Sequence, residues 1–494
     1  SFDEDQVEQL LKGGKITPWT GTAQGFVSGF GTHETSSAGA ARIRPIFEPS
    51  INRLIADTEL APLRYTSRKE RHTLANRKTY VALLDFAAWF DQYDILEEVQ
   101  HYFVGRSTMT PKGHLWALTR MPMGARFSPG IAQYATWVIT NRARNMRGVT
   151  VDTMIDNIRI VADGPEEFVR AVRAVVEDSD YVCATLNDND EWRGTDAQIA
   201  ERGREKARDY VFLGDRYRHA DDGSVTICCS EKHINRLRTA YQYFSDDRQE
   251  KTGRELASIG GLAFYMAGTT EIPLNRHFNL MQAHIRACNR ANVSGLDKPT
   301  FITEQHRRGM RTLVEELLRN EPLTVVDPQP PSNQNSAYDL VAVFDACKAS
   351  WAAHVWVAAT GETIEIQQNF KTTLVHSAHA EPRAFVELAE FIRSRWPAAK
   401  RWAVITDHEA IVSGQRCWFT GNGGFSTAFN LNRAYEAAGS NVEFFHIDGK
   451  SNPTDTASRA SIDGWRKVQV LRATLPALAE CHHPYTVQRK LAWM

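Results

Sequence analysis

The stretch VDTMIDNIRIV, residues 151–161, decides the fold of the first part of the chain. Two runs rich in β-branched residues, VTVDTMI and IRIVAD, flank a polar pair formed by Asp156 and Asn157. This pattern predicts a β-hairpin with the polar pair at its tip. A carboxylate at such a tip is well placed to hold a metal ion, although the same pair would also suit a plain turn.

A second acid follows an apolar strand upstream of the hairpin. Asp85 ends the run VALLD, and a carboxylate after four apolar strand residues is unfavourable unless a cation compensates its charge. If the fold brings Asp85 and Asp156 together, two Mg²⁺ ions would remove their repulsion and hold both oxygens of an in-line phosphoryl transfer. Taken alone, either acid is more often a strand-end cap or a turn residue.

The composition is that of an ordinary globular chain. Of 494 residues, 42% are apolar and 24% are charged, and this length predicts roughly two to four domains. The formal net charge is −1, so any nucleic-acid binding would depend on local basic patches, of which residues 64–78, 141–147 and 305–311 are candidates. Each patch could instead be an ordinary solvated surface.

The cysteines and the hydropathy favour a reducing, intracellular compartment, either cytoplasmic or nuclear. Seven cysteines include no C-x-x-C pair, so neither a zinc site nor a disulfide framework is predicted. No apolar run reaches the roughly 18 residues that a membrane span needs, and no signal peptide opens the chain. Because the first residue is Ser1, we expect the sequence to be a segment of a longer protein.

A proline-rich stretch divides the chain. Residues 320–339 contain four prolines and no helical period, and this composition predicts a linker. Before it, strands and helices mix in an α+β pattern, with a long helix that has Pro129 in its first turn and an almost wholly helical stretch at the end. After it, strands alternate with helices in an α/β pattern. The predicted segments are 1–230, 231–319, the linker 320–339, 340–475 and a C-terminal tail, 476–494.

Four carboxylates beyond the linker stand where an α/β fold could gather them. Asp345 and Asp407 end apolar strands, Glu381 starts the helix EPRAFVELAEF, and Asp455 lies in the late loop HIDGKSNPTDTASR. These positions could converge on one edge of a mixed sheet, where four carboxylates would again need two Mg²⁺ ions. Glu381 could instead be an ordinary acid of a first helical turn.

The order of these motifs resembles that of reverse transcriptases from retrotransposons and retroviruses that end in a ribonuclease H. The polymerase likeness covers about residues 40–320 and consists of RIRPIFEPSIN, LLDFAAWF, MPMGARFSPGIAQ, MIDNI and YVFLGD. Beyond the linker, the likeness is to ribonuclease H, and the late loop resembles the retroelement ending H-x-x-G-x-x-N-P-x-D-x-x-S-R. That ending is similar to those of gypsy-like elements and of the tyrosine-recombinase elements of the DIRS/VIPER kind. The resemblance implies a right-hand polymerase with fingers, palm and thumb or connection, followed by an RNase H-like α/β domain.

Carried over position by position, the resemblance implies roles in the polymerase. Asp85 and Asp156 match the metal-binding aspartates, and Asn157 stands where most of these enzymes have a second Asp. Phe90 matches the ring that leaves no space for a 2′-hydroxyl, which favours DNA synthesis. Alternatively, Phe90 could be an ordinary core aromatic residue beside Trp89. The remaining matches are the triphosphate grip, Arg42 and Arg44; the segment under the new base pair, with Met123, Gly124 and Gln133; and the primer grip, Phe212, Leu213 and Gly214.

Asn157 leaves three interpretations of the polymerase open. An amide oxygen can bind a hard cation but brings no charge. The site could be a native active variant, as in some related polymerases of RNA viruses, a decayed site, or one silenced by an Asp→Asn change. We expect an active or weakly active enzyme.

In the second part of the chain, the resemblance makes the four acids ligands of two Mg²⁺ ions, for which Mn²⁺ can substitute. The 26-residue separation of Glu381 and Asp407 fits the family better than a ligand later in the same helix, such as Glu387 or Glu390. His446 matches a mobile histidine that helps a proton or the product to leave. A plain surface histidine is the alternative.

The predicted function is DNA synthesis from dNTPs on RNA or DNA templates by two-metal phosphoryl transfer, together with cleavage of the RNA strand of RNA–DNA hybrids. The expected partners are an RNA template, a DNA primer, their hybrid and dNTPs, without a membrane. Two alternatives stay open, a domesticated nucleic-acid-binding scaffold and an RNase H nuclease whose polymerase is inactive. Asn157 favours both alternatives, and the retained acids disfavour the scaffold.

Overall fold

A computed structural model gives the fold as a mixture of helices and sheets. It describes residues 4–35, 41–56, 59–60, 63, 65–66, 68–106, 114–187, 189–245, 251–272, 274–325, 337–371, 374, 377–412, 425–439 and 441–459. The chain divides into two compact units, residues 1–212 with 217–225, and residues 213–216 with 226–494. Within the described ranges, no helix is both long enough and apolar enough to cross a membrane.

The first unit is built around small antiparallel sheets. Its helices in the described part are α1 (Glu4–Lys12), α2 (Arg68–Ala75), α3 (Glu97–Gln100), α4 (Ser128–Arg144), α5 (Pro165–Tyr181) and α6 (Asp196–Arg208). Its strands are β1 (Ile16–Pro18), β2 (Val27–Thr35), β3 (Ala41–Pro49), β4 (Tyr80–Asp85), β5 (Val104–Arg106), β6 (Leu115–Leu118), β7 (Val149–Met154), β8 (Asn157–Ala162) and β9 (Tyr210–Phe212). The strands β10 (Asp215–His219) and β11 (Val225–Cys229) contain the division between the units.

The sheet β4-β8-β7 carries the predicted hairpin. Because side chains alternate along a strand, Ile158 and Ile160 face the same side, where they join a core with residues of α4 and α5. Helix α5 contributes Phe168, Val172 and Val175, all fully buried, at the spacing of one helix face. This packing holds the hairpin against two helices.

The predicted elements agree with the structure in outline and differ in detail. Helix α4 has Pro129 in its first turn, as expected. The hairpin is present, but its turn consists of Ile155 and Asp156, while Asn157 is already paired with Met154 as the first residue of β8. After β4 the chain forms only a short 3-10 turn, Trp89–Gln92.

The second unit contains a helical part and a five-stranded sheet. Its helices in the described part are α7 (Glu231–Ser245), α8 (Gly253–Thr269), α9 (Phe278–Ser294), α10 (Glu304–Leu318), α11 (Ala380–Arg395), α12 (Phe425–Ala438) and α13 (Asp455–Arg459). The strands are β12 (Leu323–Val325), β13 (Leu340–Ala346), β14 (Ser350–Val357), β15 (Thr363–Asn369), β16 (Trp402–Thr406) and β17 (Val442–His446). The sheet order is β15-β14-β13-β16-β17, antiparallel among β13, β14 and β15 and parallel from β13 through β16 to β17.

The predicted linker begins with ordered chain. Asn320 follows α10, and its side-chain amide accepts a hydrogen bond from the Cys229 N–H at 2.8 Å and donates one to the Cys229 carbonyl at 3.1 Å. Strand β12 then lies beside β11. The helical part, α7 to α10, therefore starts and ends at neighbouring strands. Residues 326–336 and the predicted tail lie outside the described residues, and the predicted domain boundaries stay a prediction.

Candidate active sites

A cavity of about 450 Å³ in the first unit contains both acids that the sequence singled out there. Asp85 and Asp156 line it together with the predicted nucleotide-binding residues Arg44, Phe90 and Met123. The cavity also contains side chains that the sequence did not indicate, namely Lys15, Arg120, Asp91 and Asn187. Carboxylates, cations and an aromatic ring thus surround one space.

Backbone pairing brings the two aspartates to this cavity. Asp85 is the last residue of β4 and lies opposite Asn157 in the register of β4 and β8. The Phe86 N–H donates to the Asp156 carbonyl at 3.1 Å, which ties the turn to the end of β4. Asn187 donates its side-chain amide to Asp85 Oδ2 at 2.9 Å and so orients that carboxylate.

The Asp156 carboxylate is destabilised when it is ionised. Burial raises the pKa of Asp156, and this effect exceeds the opposing hydrogen bond from Asn157 Nδ2, 2.8 Å from Asp156 Oδ1, and the attraction of Arg44. A bound cation would stabilise the ionised form. Asn157 therefore serves in this structure as a donor to the neighbouring acid.

The hairpin turn has a strained backbone that buried side chains support. Ile155 has φ = +58°, a left-handed conformation that is unfavourable for a β-branched residue. Its N–H donates to Gln133 Oε1 at 2.6 Å, and its carbonyl accepts from the Thr136 hydroxyl. Gln133 also donates to Thr153 Oγ1 at 2.9 Å. Gln133 is fully buried and is not among the residues that line the cavity, so its visible role is to hold the turn.

Three cationic side chains reach the cavity from distant parts of the sequence. Arg44 comes from β3, and its Nη1 lies 3.9 Å from the sulfur of Met123. Lys15 pairs with Asp91 at 2.6 Å, and Arg120 pairs with Asp94. Arg42 lies on β3 opposite Glu34 in the register, and nothing further is described of its side chain.

Gly124 packs directly against the backbone of β3. A Cβ atom at this position would lie 2.1 Å from the Phe47 carbonyl oxygen, so only glycine fits. Asn52 donates to the Gly124 carbonyl at 2.9 Å and accepts from the Arg126 N–H at 3.0 Å. These contacts attach the segment that carries Met123 to β3, while Gly124 itself does not line the cavity.

The three residues predicted to grip a primer form the end of β9 and a tight turn. Phe212 is buried, and Leu213 and Gly214 have φ of +49° and +86°. The Tyr265 hydroxyl donates to the Leu213 carbonyl. A Cβ atom on Gly214 would lie 2.3 Å from His233 Cε1, so glycine is required here too. Contact with a primer stays a prediction.

The second unit brings three of the four predicted acids together. Asp345 lies in β13, Asp407 directly follows β16, and Glu381 is in the first turn of α11. Because β13 and β16 are parallel neighbours, their carboxyl ends share one edge of the sheet. One carboxylate oxygen from each acid lies within 4.8 Å of those of the other two. We call these residues the acidic triad.

Burial and the repulsion of neighbouring acids raise the pKa values of Glu381 and Asp345. The pKa of Glu381 lies well above its ordinary value, first because of burial and then because of Asp407 and Asp345. The pKa of Asp345 is raised mainly by burial, with a contribution from Asp407. A divalent cation would relieve both effects, and the triad can bind a metal ion. All donors are hard carboxylate oxygens, which fit Mg²⁺ or Mn²⁺.

Neutral donors orient the oxygens of the triad. Ser458 donates to Asp345 Oδ2 at 2.5 Å, and the Thr406 hydroxyl donates to Glu381. The buried Asn452 donates to Asp407 Oδ1 at 3.0 Å and to the Phe344 carbonyl at 3.1 Å. Asn452 and Ser458 occupy the Asn and Ser positions of the late-loop motif, so the motif contained the signal for both.

The remaining predicted residues of this site lie around the triad. Asp455 is outside the group of three, forms an ion pair with Arg459 at 2.5 Å and contributes to the raised pKa of Asp345. His446 ends β17 beside Thr406 in the register. The alternative ligand Glu387 instead accepts a hydrogen bond from Trp351 Nε1 at 2.8 Å. The geometry thus favours Glu381.

Comparisons with known proteins give fold-level similarity only. No protein-family model and no curated protein matches the chain. Similar solved structures include the foamy viral protease-reverse transcriptase dRH in complex with ds DNA, at 14% identity and a TM-score of 0.46, covering 90% of this chain and 69% of that one. A second is the foamy viral protease-reverse transcriptase in complex with dsDNA, at 14% identity and a TM-score of 0.45, covering 90% of this chain and 82% of that one. A third is the foamy viral protease-reverse transcriptase in complex with an RNA/DNA hybrid, at 14% identity and a TM-score of 0.48, covering 91% of this chain and 54% of that one.

Proposed function

We propose that the chain is a reverse transcriptase with ribonuclease H activity, in which one site extends DNA and another cuts the RNA strand of a hybrid. The observation that carries the proposal is the acidic triad, one buried and two half-buried carboxylates within 4.8 Å of one another at one edge of a sheet. Such a cluster is unfavourable without cations and matches what metal-assisted phosphodiester hydrolysis requires. The cavity with Asp85 and Asp156 supports the polymerase part.

In the proposed nuclease site, Asp345, Glu381 and Asp407 would hold divalent metal, which supplies Lewis acidity at the scissile phosphate. Ser458, Thr406 and Asn452 keep the carboxylate oxygens turned towards one point. His446, at the end of β17, would accept or release a proton there. Asp455 would act as a further ligand after a small movement of α13.

In the proposed polymerase site, Asp85 and Asp156 would hold the metal beside an incoming dNTP. Arg44, Lys15 and Arg120 would bind its triphosphate, because guanidinium and ammonium groups are the usual phosphate donors. The cavity volume, about 450 Å³, lies in the range of small-molecule sites. Phe90 would close the side of the sugar and reject a 2′-hydroxyl.

The test is one reaction with a DNA primer annealed to an end-labelled RNA template, with dNTPs and either Mg²⁺ or Mn²⁺. We expect both primer extension and cleavage of the template. Asp85→Asn should abolish only extension, and Asp407→Asn should abolish only cleavage. The absence of both activities with either metal would contradict the proposal.

A second candidate is a nuclease with an inactive polymerase, and Asn157 is the observation that favours it. With an amide at position 157, the hairpin offers a metal ion one carboxylate, that of Asp156. Template cleavage without extension, lost in Asp407→Asn and unaffected by Asp85→Asn, would identify this case.

A further inference from the structure

A fully buried ion pair joins the two strands of the hairpin. Asp152 on β7 and Arg159 on β8 are directly opposite each other, and their side chains are 2% and 0% exposed. Apolar residues of similar volume are often as stable as a buried ion pair, or more stable, because both charges must leave water. Stability alone therefore does not account for this pair.

The Arg159 guanidinium connects the hairpin to three other elements of the first unit. Its Cζ lies over two aromatic rings, 5.0 Å from the ring centre of Phe212 in β9 and 4.8 Å from that of Tyr217 in β10. Its Nη2 donates to the Arg71 carbonyl of α2 at 2.8 Å, and its Nη1 donates to the Tyr210 hydroxyl of β9 at 3.5 Å. One side chain thus fixes β8 to α2, β9 and β10.

Arg159 is on the same face of the sheet as Asn157 and its partner in the register, Asp85. Asn157 and Arg159 are two residues apart on β8, and the strand register places Asp85 opposite Asn157 and Leu83 opposite Arg159. Alternate residues of a strand share a face and are separated by roughly 7 Å. The guanidinium therefore joins β9 to the sheet one pleat behind Asp85.

We propose that Arg159, held by Asp152, is a positioning residue that fixes β9 relative to the two aspartates. This inference rests on the proposed polymerase function, in which the end of β9 grips the primer. A guanidinium suits this role because its planar fork donates in fixed directions and stacks on rings, whereas apolar side chains can slide. The distance from the primer terminus to the metal ligands would then depend on this one contact.

The experiment compares the wild type with the double variant Asp152→Leu/Arg159→Met. Its matched control is Arg193→Met/Asp180→Leu, which removes an exposed pair of the same unit. We expect the double variant to stay folded and its β9 amides to exchange hydrogen for deuterium faster than those of the wild type and the control. We expect its kcat for primer extension to fall by roughly tenfold to a hundredfold, as for a small misplacement of reactants.

A split between kinetic constants separates positioning from substrate binding. The KM for dNTP should stay within about twofold, because the contact does not touch the nucleotide. Arg159→Lys keeps the charge but lacks the planar guanidinium, so it should give an intermediate loss of kcat. If the double variant fails to fold, the kcat of Arg159→Lys tests the positioning role instead.

The inference would be overturned if the double variant folds, its β9 amides exchange hydrogen as slowly as those of the wild type, and its kcat for primer extension equals that of the wild type. If the wild type extends no primer with either metal, the proposed polymerase function fails by itself. The exchange of β9 in the double variant still decides whether Arg159 fixes that strand.

Discussion

Asn157 neighbours two acids that line the cavity, Asp85 and Asp156, although it does not itself line the cavity. It lies opposite Asp85 in the register and donates its amide to Asp156, so the hairpin contributes one carboxylate where two would be expected. Fewer negative charges mean weaker binding of a divalent cation. The identity of this single side chain should therefore set the metal requirement of the proposed polymerase.

We expect Asn157→Asp to lower the Mg²⁺ concentration for half-maximal primer extension by roughly tenfold, because ligand charge tunes cation affinity. The same change should lower Tm in EDTA, since the new carboxylate would repel Asp156. A Mg²⁺ titration of extension at fixed dNTP measures the effect. Gln9→Glu, on the exposed surface of α1, adds the same charge elsewhere and should change neither quantity. An unchanged Mg²⁺ requirement in Asn157→Asp would exclude a role for residue 157 at the metal.

Gln133 offers a test of the strained turn. Gln133→Ala removes the acceptor of the Ile155 N–H, which should cost about 1–3 kcal/mol and release Asp156 from its position. We expect kcat for extension to fall while the KM for dNTP stays within about twofold. If Gln133 contacted the nucleotide, its replacement by Ala would raise the KM for dNTP instead.

A second substitution shows whether strain is the cause. Ile155→Gly should restore part of the activity of Gln133→Ala, because glycine adopts positive φ without steric cost. Steady-state kinetics of the single and double variants, with urea unfolding of each, provide the measurement. A double variant as inactive as Gln133→Ala would mean that the left-handed turn is not what Gln133 supports.

Helices with a clear sequence signal, such as regularly spaced apolar residues or a proline in the first turn, could be predicted from the sequence. Helices without such a signal could not. Helices α4 and α5 follow from spacing and from a proline in the first turn. Helix α6 was not predicted because its buried residues, Ile199, Gly203 and Ala207, form a narrow apolar stripe. Its capping box, in which Thr195 and Gln198 satisfy each other's backbone N–H groups, is the signal that could have found it.

The same distinction holds for the sites. Acids at strand ends and at a helix start are visible in sequence, and the structure brings Asp345, Glu381 and Asp407 together. Lys15, Arg120 and Asn187 reach the cavity from loops and short strands with no local pattern. Their position depends on how separate sheets pack, which periodicity does not encode.

The attachment of the Met123 segment to β3 can be tested with two glycines. Gly124→Ala places a Cβ 2.1 Å from the Phe47 carbonyl, so we expect a loss of about 1–3 kcal/mol and weaker extension as Met123 moves. Gly130→Ala, in the first turn of α4, meets nothing within 4 Å and should stabilise by about 0.5–1 kcal/mol. Urea unfolding and primer extension measure both. Equal stabilities of the two variants would contradict the close approach.

For the whole molecule, the metal-free triad should be a site of stored repulsion. We expect Asp407→Asn to abolish cleavage and yet raise Tm in EDTA by at least about 2 °C, the shift that ~1 kcal/mol gives in a domain of this size. Asn452 can still donate to the asparagine oxygen, so the hydrogen bond is kept. Mg²⁺ should raise the Tm of the wild type and leave that of Asp407→Asn nearly unchanged. A lower Tm for Asp407→Asn in EDTA would contradict this account.

The pH dependence of this difference has a defined sign. Asp345 and Glu381 have raised pKa values in the fold, so their stabilising contribution is present at acidic pH and is lost as pH rises through the folded pKa. Buried His306, with a pKa lowered to about 4, acts oppositely between pH 6.5 and 4 in any variant. The difference in Tm between Asp407→Asn and the wild type in EDTA should therefore grow from pH 4 towards neutrality. Differential scanning calorimetry across this range measures it.

The amide of Asn320, which both accepts from and donates to Cys229, has a consequence for engineering the chain. Residues 229 and 320 are neighbours in space although 91 positions separate them, so the intervening helices form an excursion with a single entrance and exit. A replacement of this excursion has to span only the short gap between two adjacent strands, but it also has to supply the contacts that His233 and Tyr265 make with the turn after β9. Helical segments of different length, transplanted between Cys229 and Asn320, would make chimaeras that keep every residue of the acidic triad and of the cavity with Asp85 and Asp156.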